Sequence, residues 1–185
     1  MNNYNSRIEK AAQGNRLACN SLYFEFKDRI FNTILNILHD KEDAEDVLQE
    51  TFAEVFKSLT GFHGDSSLQT WIYRIAVNKT TEFIRKKNAK KRWSLFSFSN
   101  AEVENVNDVS FHPEIRLDKR EEAANLYKAI SKLKEKQRIA FTLFFIEDFS
   151  QKEIAEMMET SVANVESLVF RAKQFLKKDL EKYFE

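Results

Sequence analysis

The chain has 185 residues, room for one domain or two small ones that each bury a core. Lys+Arg and Asp+Glu both number 29, so the formal net charge is zero and any case for nucleic acid or membrane binding must come from local clusters. One cysteine, Cys19, excludes an internal disulfide and lacks the Cys/His companions of a zinc site, and no apolar run approaches the roughly 20 residues of a membrane span.

Phe is abundant (17) while Gly (3) and Pro (1) are scarce, which removes the turn residues that a sheet-rich fold needs and predicts an all-helical one. The start, Met1-Asn2-Asn3-Tyr4-Asn5, lacks the basic-then-apolar order of a signal peptide, so a reducing, cytoplasmic setting is expected. From Leu17 to Leu38, apolar residues recur at Leu22, Phe26, Ile30, Ile34 and Leu38, a stripe for a core helix. From Asp43 to Leu59 a second helix carries Ala44, Val47, Leu48, Phe52, Val55 and Leu59 at intervals of three and four.

Gly61-Phe62-His63-Gly64-Asp65-Ser66-Ser67 breaks the pattern, and Asp65, Ser66 or Ser67 can cap the helix that follows. That helix holds Leu68, Trp71, Ile72, Ile75, Ala76 and Phe83 and runs out into the basic tail Arg85 to Arg92. A first domain over residues 1–93 is predicted. Between 94 and 116 the periodicity fails, which predicts a flexible linker. Helical spacing resumes at Leu117, Leu126, Ile130 and Leu133, giving a second bundle of four helices over 117–185.

Within that bundle, Ser150 and Glu153 have capping-box spacing before one short helix, and Glu159-Thr160-Ser161 separates it from a second, Val162 to Lys178, whose Val165, Leu168, Val169, Ala172 and Leu176 form an inner stripe. Two helices and a short turn describe either an ordinary helical hairpin or a helix-turn-helix that presents its second helix to a major groove. Ser167, Arg171, Lys173, Lys177 and Lys178 favour the latter, since they place donors and charge within reach of phosphates or base edges. Glu166 opposes that charge, and Phe170 cannot hydrogen-bond a base.

In the first domain, Asp43, Asp46, Glu50 and Glu54 fall on one side of their helix, with only Lys41 and Lys57 nearby in sequence. A solvated acidic face is one reading; a docking face for a basic partner, which relieves the mutual repulsion, is the other. On the next helix, Trp71, Tyr73, Arg74, Asn78, Lys79 and Arg85 combine rings, an amide and cations, a set suited to unstacked bases and their phosphates, although partial burial of Trp71 is expected.

Asp43-Ala44-Glu45-Asp46-Val47-Leu48-Gln49-Glu50-Thr51-Phe52 resembles the core-binding helix of sigma factors, and the stretch from Phe62 to Asn78 resembles the promoter-melting segment of their extracytoplasmic-function branch. Leu133 to Arg138 and Phe149 to Glu156 are similar to the corresponding parts of the family's second domain. The resemblance implies a region 2 domain and a region 4 domain that bind core RNA polymerase and promoter DNA. Asp43, Asp46, Leu48, Gln49, Glu50, Phe52 and Glu54 would dock on polymerase. Phe62, Asp65, Ser66, Ser67 and Asn78 would capture a flipped base of the minus-ten element, with Trp71, Arg74, Lys79 and Arg85 along the duplex or phosphates. Ser161, Asn164, Ser167, Arg171 and Lys173 would read the minus-thirty-five element.

Members of this family are often held inactive by a membrane-anchored anti-sigma factor, which the resemblance adds as an expected partner. Three departures stand out: Lys134 where the family has Pro, Glu159 where the tight-turn Gly is frequent, and Glu166 and Leu168 where basic residues are common. An unusual minus-thirty-five preference is expected. His39, His63 and His112 lack metal-ligand spacing and there is no glycine-rich phosphate loop, so no catalysis, metal, cofactor or small-molecule substrate is predicted. The alternative is a stand-alone helix-turn-helix regulator that acts on duplex DNA without polymerase.

Overall fold

The computed structural model describes residues 2–97 and 120–181, and among them only helices and turns occur. In chain order the helices are α1 (Asn2–Ala12), α2 (Arg16–Leu38), α3 (Lys41–Ser58), α4 (Leu68–Ser97), α5 (Arg120–Ser131), α6 (Glu135–Phe141), α7 (Gln151–Met157) and α8 (Val162–Glu181). A 3₁₀ turn, Leu59–Gly61, ends α3, and a π-helical turn, Thr142–Ile146, extends α6. Most of the predicted linker lies outside the described residues; its first positions, 94–97, belong to the end of α4.

The helices start where local chemistry offers a cap. Asn15 accepts from the Ala18 amide at 3.1 Å to open α2, and Asp40 accepts from the Asp43 amide at 3.0 Å to open α3. Ser67, one of three candidates, opens α4 by accepting from the Thr70 amide at 3.0 Å. Ser150 and Glu153 form the predicted capping box of α7.

Ile30, Ile34 and Ile37 of α2, Val47 and Val55 of α3 and Ile72 and Ala76 of α4 are essentially inaccessible, each large side chain contributing on the order of 1.5–3 kcal/mol. This is the α2–α3–α4 core that positions the acidic and basic helices side by side. Helix α1 carries no element in the sequence reading; Ile8 and Ala11 anchor it to the same core. Their three-residue spacing was the available signal, and the polar start hid it.

In the second half, Val165, Leu168, Val169, Ala172 and Leu176 of α8 are buried as the inner stripe predicted. Leu168 is thus a core position, so its replacement of a basic residue alters no outward surface. The two halves do not keep separate cores. One cluster of buried side chains runs from Ile8 through α2, α3 and α4 into Ile139, Leu143, Phe149, Ile154 and Val169, and a smaller one joins Ala129, Ile130 and Leu133 to Ala172 and Leu176.

Candidate nucleic-acid and protein interfaces

The outer face of α3 presents Asp46, Gln49 and Glu50 to solvent, while Leu48 is half-buried beside them and Phe52 sits inside the core with its ring edge-on to Tyr23. The carboxylate row is less isolated than its sequence neighbours suggest. Helix α4 packs against α3 and brings Lys79 to 3.4 Å from Glu54 and Lys87 against Asp43. Asp43 and Glu54 are therefore ion-paired within the chain, which corrects the expectation that only Lys41 and Lys57 offset the row. The neighbours that matter are tertiary, and a helix read alone cannot show them. Asp46 and Glu50 remain the outward charges of the set.

Beyond α3, the loop 62–67 folds back over α1 and α2 and encloses an open cleft of about 670 Å³. Phe62, Ser66 and Ser67 line it, together with Glu25 and Arg29 of α2, two residues that the sequence reading did not single out. Asp65 is exposed on the loop, and Gly64 supplies the positive φ of 83° that turns it. Phe62 is half-buried and stacks at a tilt on Trp71, ring centres 5.4 Å apart.

Trp71 is only 8% exposed, so its ring supports Phe62 from behind and does not itself face outward as a duplex contact; the apolar cost of exposing an indole decides this. Arg74, Asn78 and Arg85 are exposed along α4, and Lys79 turns toward Glu54. Of the nine residues assigned to the first DNA surface, the structure groups Phe62, Ser66 and Ser67 at the cleft and strings Arg74, Asn78 and Arg85 along one helix.

In the second half, α7 and α8 meet across Glu159, which adopts a left-handed φ of 50° where a glycine is frequent. The turn is made without glycine at a cost in backbone strain of about 1–2 kcal/mol. Ser161 caps α8, its hydroxyl accepting from the Asn164 amide at 3.2 Å, and the Asn164 side chain donates to Thr160 at 2.9 Å. Both side chains are thus engaged in building the helix start. Ala163, Glu166, Ser167, Phe170 and Gln174 follow one another along the outer face, flanked by exposed Arg171, Lys173, Lys177 and Lys178. Phe170 is 62% exposed at the middle of that face.

No group of three or more His, Cys, Asp or Glu side chains among the described residues is arranged to hold a metal ion. No helix among them is long and apolar enough to cross a membrane.

The comparisons with known proteins match these two halves one by one. The model of sigma-70 region 2 matches residues 22–90, and the model of sigma-70, region 4 matches residues 123–176. The RNA polymerase sigma-H factor of Pseudomonas aeruginosa is 30% identical over 178 residues, covering 94% of this chain and 92% of that protein. The ECF RNA polymerase sigma-E factor of Haemophilus influenzae is 28% identical, covering 94% and 93%.

Among solved structures, CnrH in complex with the cytosolic domain of CnrY superposes with a TM-score of 0.68 at 24% identity over 95% of this chain and 96% of that one. The sigma factor RpoE in complex with the anti-sigma factor NepR from Bartonella quintana gives 0.70 at 20% identity over 88% and 96%. At those identities the likeness is one of fold. An all-helical chain with a region 2 half, a region 4 half and a full-length relative at 30% identity belongs to the sigma-70 family of RNA polymerase sigma factors. Within that family it is an extracytoplasmic-function sigma factor.

Proposed function

We propose that this sigma factor attaches to core RNA polymerase through α3, reads the minus-thirty-five element through α8 and traps a minus-ten base at the cleft beside α4, making no covalent bond of its own. The observation that carries the reading is the division of surfaces. One outward carboxylate pair, Asp46 and Glu50, lies on α3, while donors and cations lie on α4 and α8. The domains would be residues 1–93 and 117–185. The setting is the cytoplasm, where the polymerase is.

Polymerase docking rests on Asp46, Gln49 and Glu50, backed by Leu48 and Phe52, with Asp43 and Glu54 available if their lysines move to the partner or to DNA. At the cleft, a base displaced from the stack would lie against Phe62 and meet donors from Ser66 and Ser67, while Asn78 farther along α4 offers an amide to the same strand and Arg74, Lys79 and Arg85 hold phosphates. On α8, Arg171 and Lys173 serve phosphates, Ser167 a base edge, and Ser161 and Asn164 the helix start. Phe170 offers apolar contact to a thymine methyl and Glu166 an acceptor for the cytosine amino group, which gives a physical form to the unusual preference expected from the sequence. A partner of the kind seen with RpoE, the anti-sigma factor NepR, would fit the same fold.

The test is run-off transcription with core enzyme, alongside co-purification of Asp46→Arg/Glu50→Arg. Wild type should start transcripts at defined sites, and the double variant should lose core association with an unchanged melting temperature, since exposed charges contribute about 0–1 kcal/mol to folding. Sequence-specific duplex binding at physiological salt without polymerase, together with no stimulation of core enzyme, would instead favour the stand-alone regulator.

A further inference from the structure

The segment between α6 and α7 reaches out of the second half and into the first. The π-helical turn Thr142–Ile146 underwinds the end of α6, and Asp148 takes a left-handed φ of 59°, so Glu147 and Phe149 are turned toward α2 and α4 on either side of it. The Glu147 carboxylate, 8% exposed, accepts from the Thr33 hydroxyl of α2 at 2.6 Å and from the Tyr73 hydroxyl of α4 at 2.7 Å, with Arg29 at 3.7 Å. The Phe149 ring lies edge-on to Tyr73, centres 4.7 Å apart. Tyr73 itself is fully buried.

Two further contacts extend the seam along α4. The Thr70 hydroxyl faces the Glu153 carboxylate at 3.5 Å, and the Asn78 amide donates to Glu159 at 3.3 Å. Thr70, Tyr73 and Val77 are all buried, so one whole stripe of α4 is dry.

A buried carboxylate is costly unless its lone pairs are met, and one that is met by two hydroxyls and a guanidinium is specific to that seat. Such a match is a docking site, and its occupant is this chain's own second half. We propose that the face of α2 and α4 beside the minus-ten cleft is a receptor for the 147–159 segment, and that the free sigma factor is held closed by this clasp.

Closure withholds the first DNA surface without hiding the others. Glu159 occupies the Asn78 amide, and Glu153 and Glu159 set carboxylates along the helix whose exposed cations would meet phosphates, so an incoming strand faces both a blocked donor and like charge. Asp46 and Glu50 on α3 and the outer face of α8 stay exposed in the closed chain. Polymerase docking and upstream reading therefore remain possible while strand capture waits for the halves to part. The withholding rests on the assignment of α4 and the cleft to the minus-ten strand; the clasp itself does not.

The test uses the full chain in a Cys19→Ser background with donor and acceptor dyes at Lys10→Cys on α1 and Lys136→Cys on α6, both exposed positions. The free protein should show one population of high transfer efficiency, and Glu147→Lys should convert it to a broad low one. A low-efficiency wild type overturns the clasp. Binding of a single-stranded oligonucleotide, with the non-template sequence selected by the holoenzyme, is then followed by anisotropy without core enzyme.

Glu147→Lys and the milder Glu159→Ala, each checked for native helix content, should bind about tenfold more tightly than wild type. If the chain is closed and neither variant gains affinity, the withholding is wrong. Unaltered transcription from the same preparations would show that the sigma assignment survives that result. If instead no preparation directs core enzyme to a start site while the transfer data show closure, the functional assignment fails and the clasp stands.

Discussion

Helices α4 and α8 carry similar cargo, an apolar stripe, a few amides and hydroxyls and a run of cations, yet they stand in opposite situations. Helix α8 buries one stripe and leaves the other, Glu166, Ser167, Phe170 and Gln174, open to solvent. Helix α4 buries two: Ile72 and Ala76 lie in the α2–α3–α4 core, and Thr70 and Tyr73 meet Glu153 and Glu147 of the 147–159 segment, with Val77 buried on the same stripe. The two helices proposed to meet DNA thus differ less in what they carry than in what lies on top of them. The proposed upstream reader has only its inner stripe covered, whereas the proposed downstream one has a second stripe covered beside its exposed Arg74, Asn78 and Arg85.

The strongest way to break that comparison is to truncate one aromatic on each helix. Tyr73→Ala should cost about 3–5 kcal/mol of stability, the range for removing a buried aromatic ring, and it also strips the Glu147 carboxylate of a donor. Phe170→Ala should change stability by no more than about 0.5 kcal/mol, as for an exposed side chain, while weakening minus-thirty-five binding. Thermal melts and duplex binding by the holoenzyme give both readings. Equal destabilisation by the two would mean that α8 is covered as well.

Much of this contrast was beyond the reach of sequence. Periodicity found α2, α3, α4 and the α7–α8 pair because each has a stripe of Leu, Ile, Val or Phe with one period. It identified Leu22, Ile34, Val55, Ile72 and Val165 as inward residues, and all five are buried. It did not find the second buried stripe of α4, since Thr70 and Tyr73 read as polar or amphipathic and their partner is 74 or more positions away. The same blindness made the α3 carboxylates look unpaired and Trp71 only partly buried. Motif resemblance supplied the acidic face and the loop, which bear their chemistry on contiguous residues; Glu25, Arg29 and Glu147 act from other elements and have no local signature.

A pH series sharpens the comparison from the side of the seam. His39 ends α2 in a left-handed conformation, φ 57°, and burial followed by the nearby Arg138 charge lowers its pKa from 6.5 to about 4. Its Nε2 makes no hydrogen bond among the described residues, and Arg138 belongs to α6, across the seam. The folded chain keeps His39 neutral down to about pH 4 while the unfolded chain protonates it near 6.5, so the unfolded state binds more protons in between. Stability from this group is whole above about pH 6.5 and falls by up to about 3 kcal/mol as the pH drops toward 4. Replacement with Asn, which tolerates the same φ, should flatten the slope between pH 6.5 and 5 in denaturant titrations. An unchanged slope would place the responsible proton elsewhere.

On the open helix the expected effects are ones of selectivity. Glu166→Arg should leave the fold intact and change the favoured base pair at one minus-thirty-five position, replacing an acceptor for the cytosine amino group by a donor pair for guanine, a discrimination of about 1–3 kcal/mol. Selection of bound promoters from a randomised pool with each holoenzyme reads it directly. Identical selected sequences would remove Glu166 from the reading face, and a general loss of affinity at all sequences would make it a backbone contact.

The smallest contrast is between the two helix caps. Ser67 and Ser161 each accept from an amide three residues on, at 3.0 and 3.2 Å, and each opens a helix proposed to meet DNA, so either replaced by Ala should cost about 1 kcal/mol. They differ in what lies beyond. Ser161 is followed by solvent, whereas the Ser67 hydroxyl also sits 2.8 Å from that of Thr70, which in turn faces Glu153 across the seam. Ser161→Ala should therefore lower stability alone, while Ser67→Ala should also raise hydrogen exchange in α7, where the two halves meet. Matching exchange in α7 for both variants would show that the α4 cap carries nothing across to the second half.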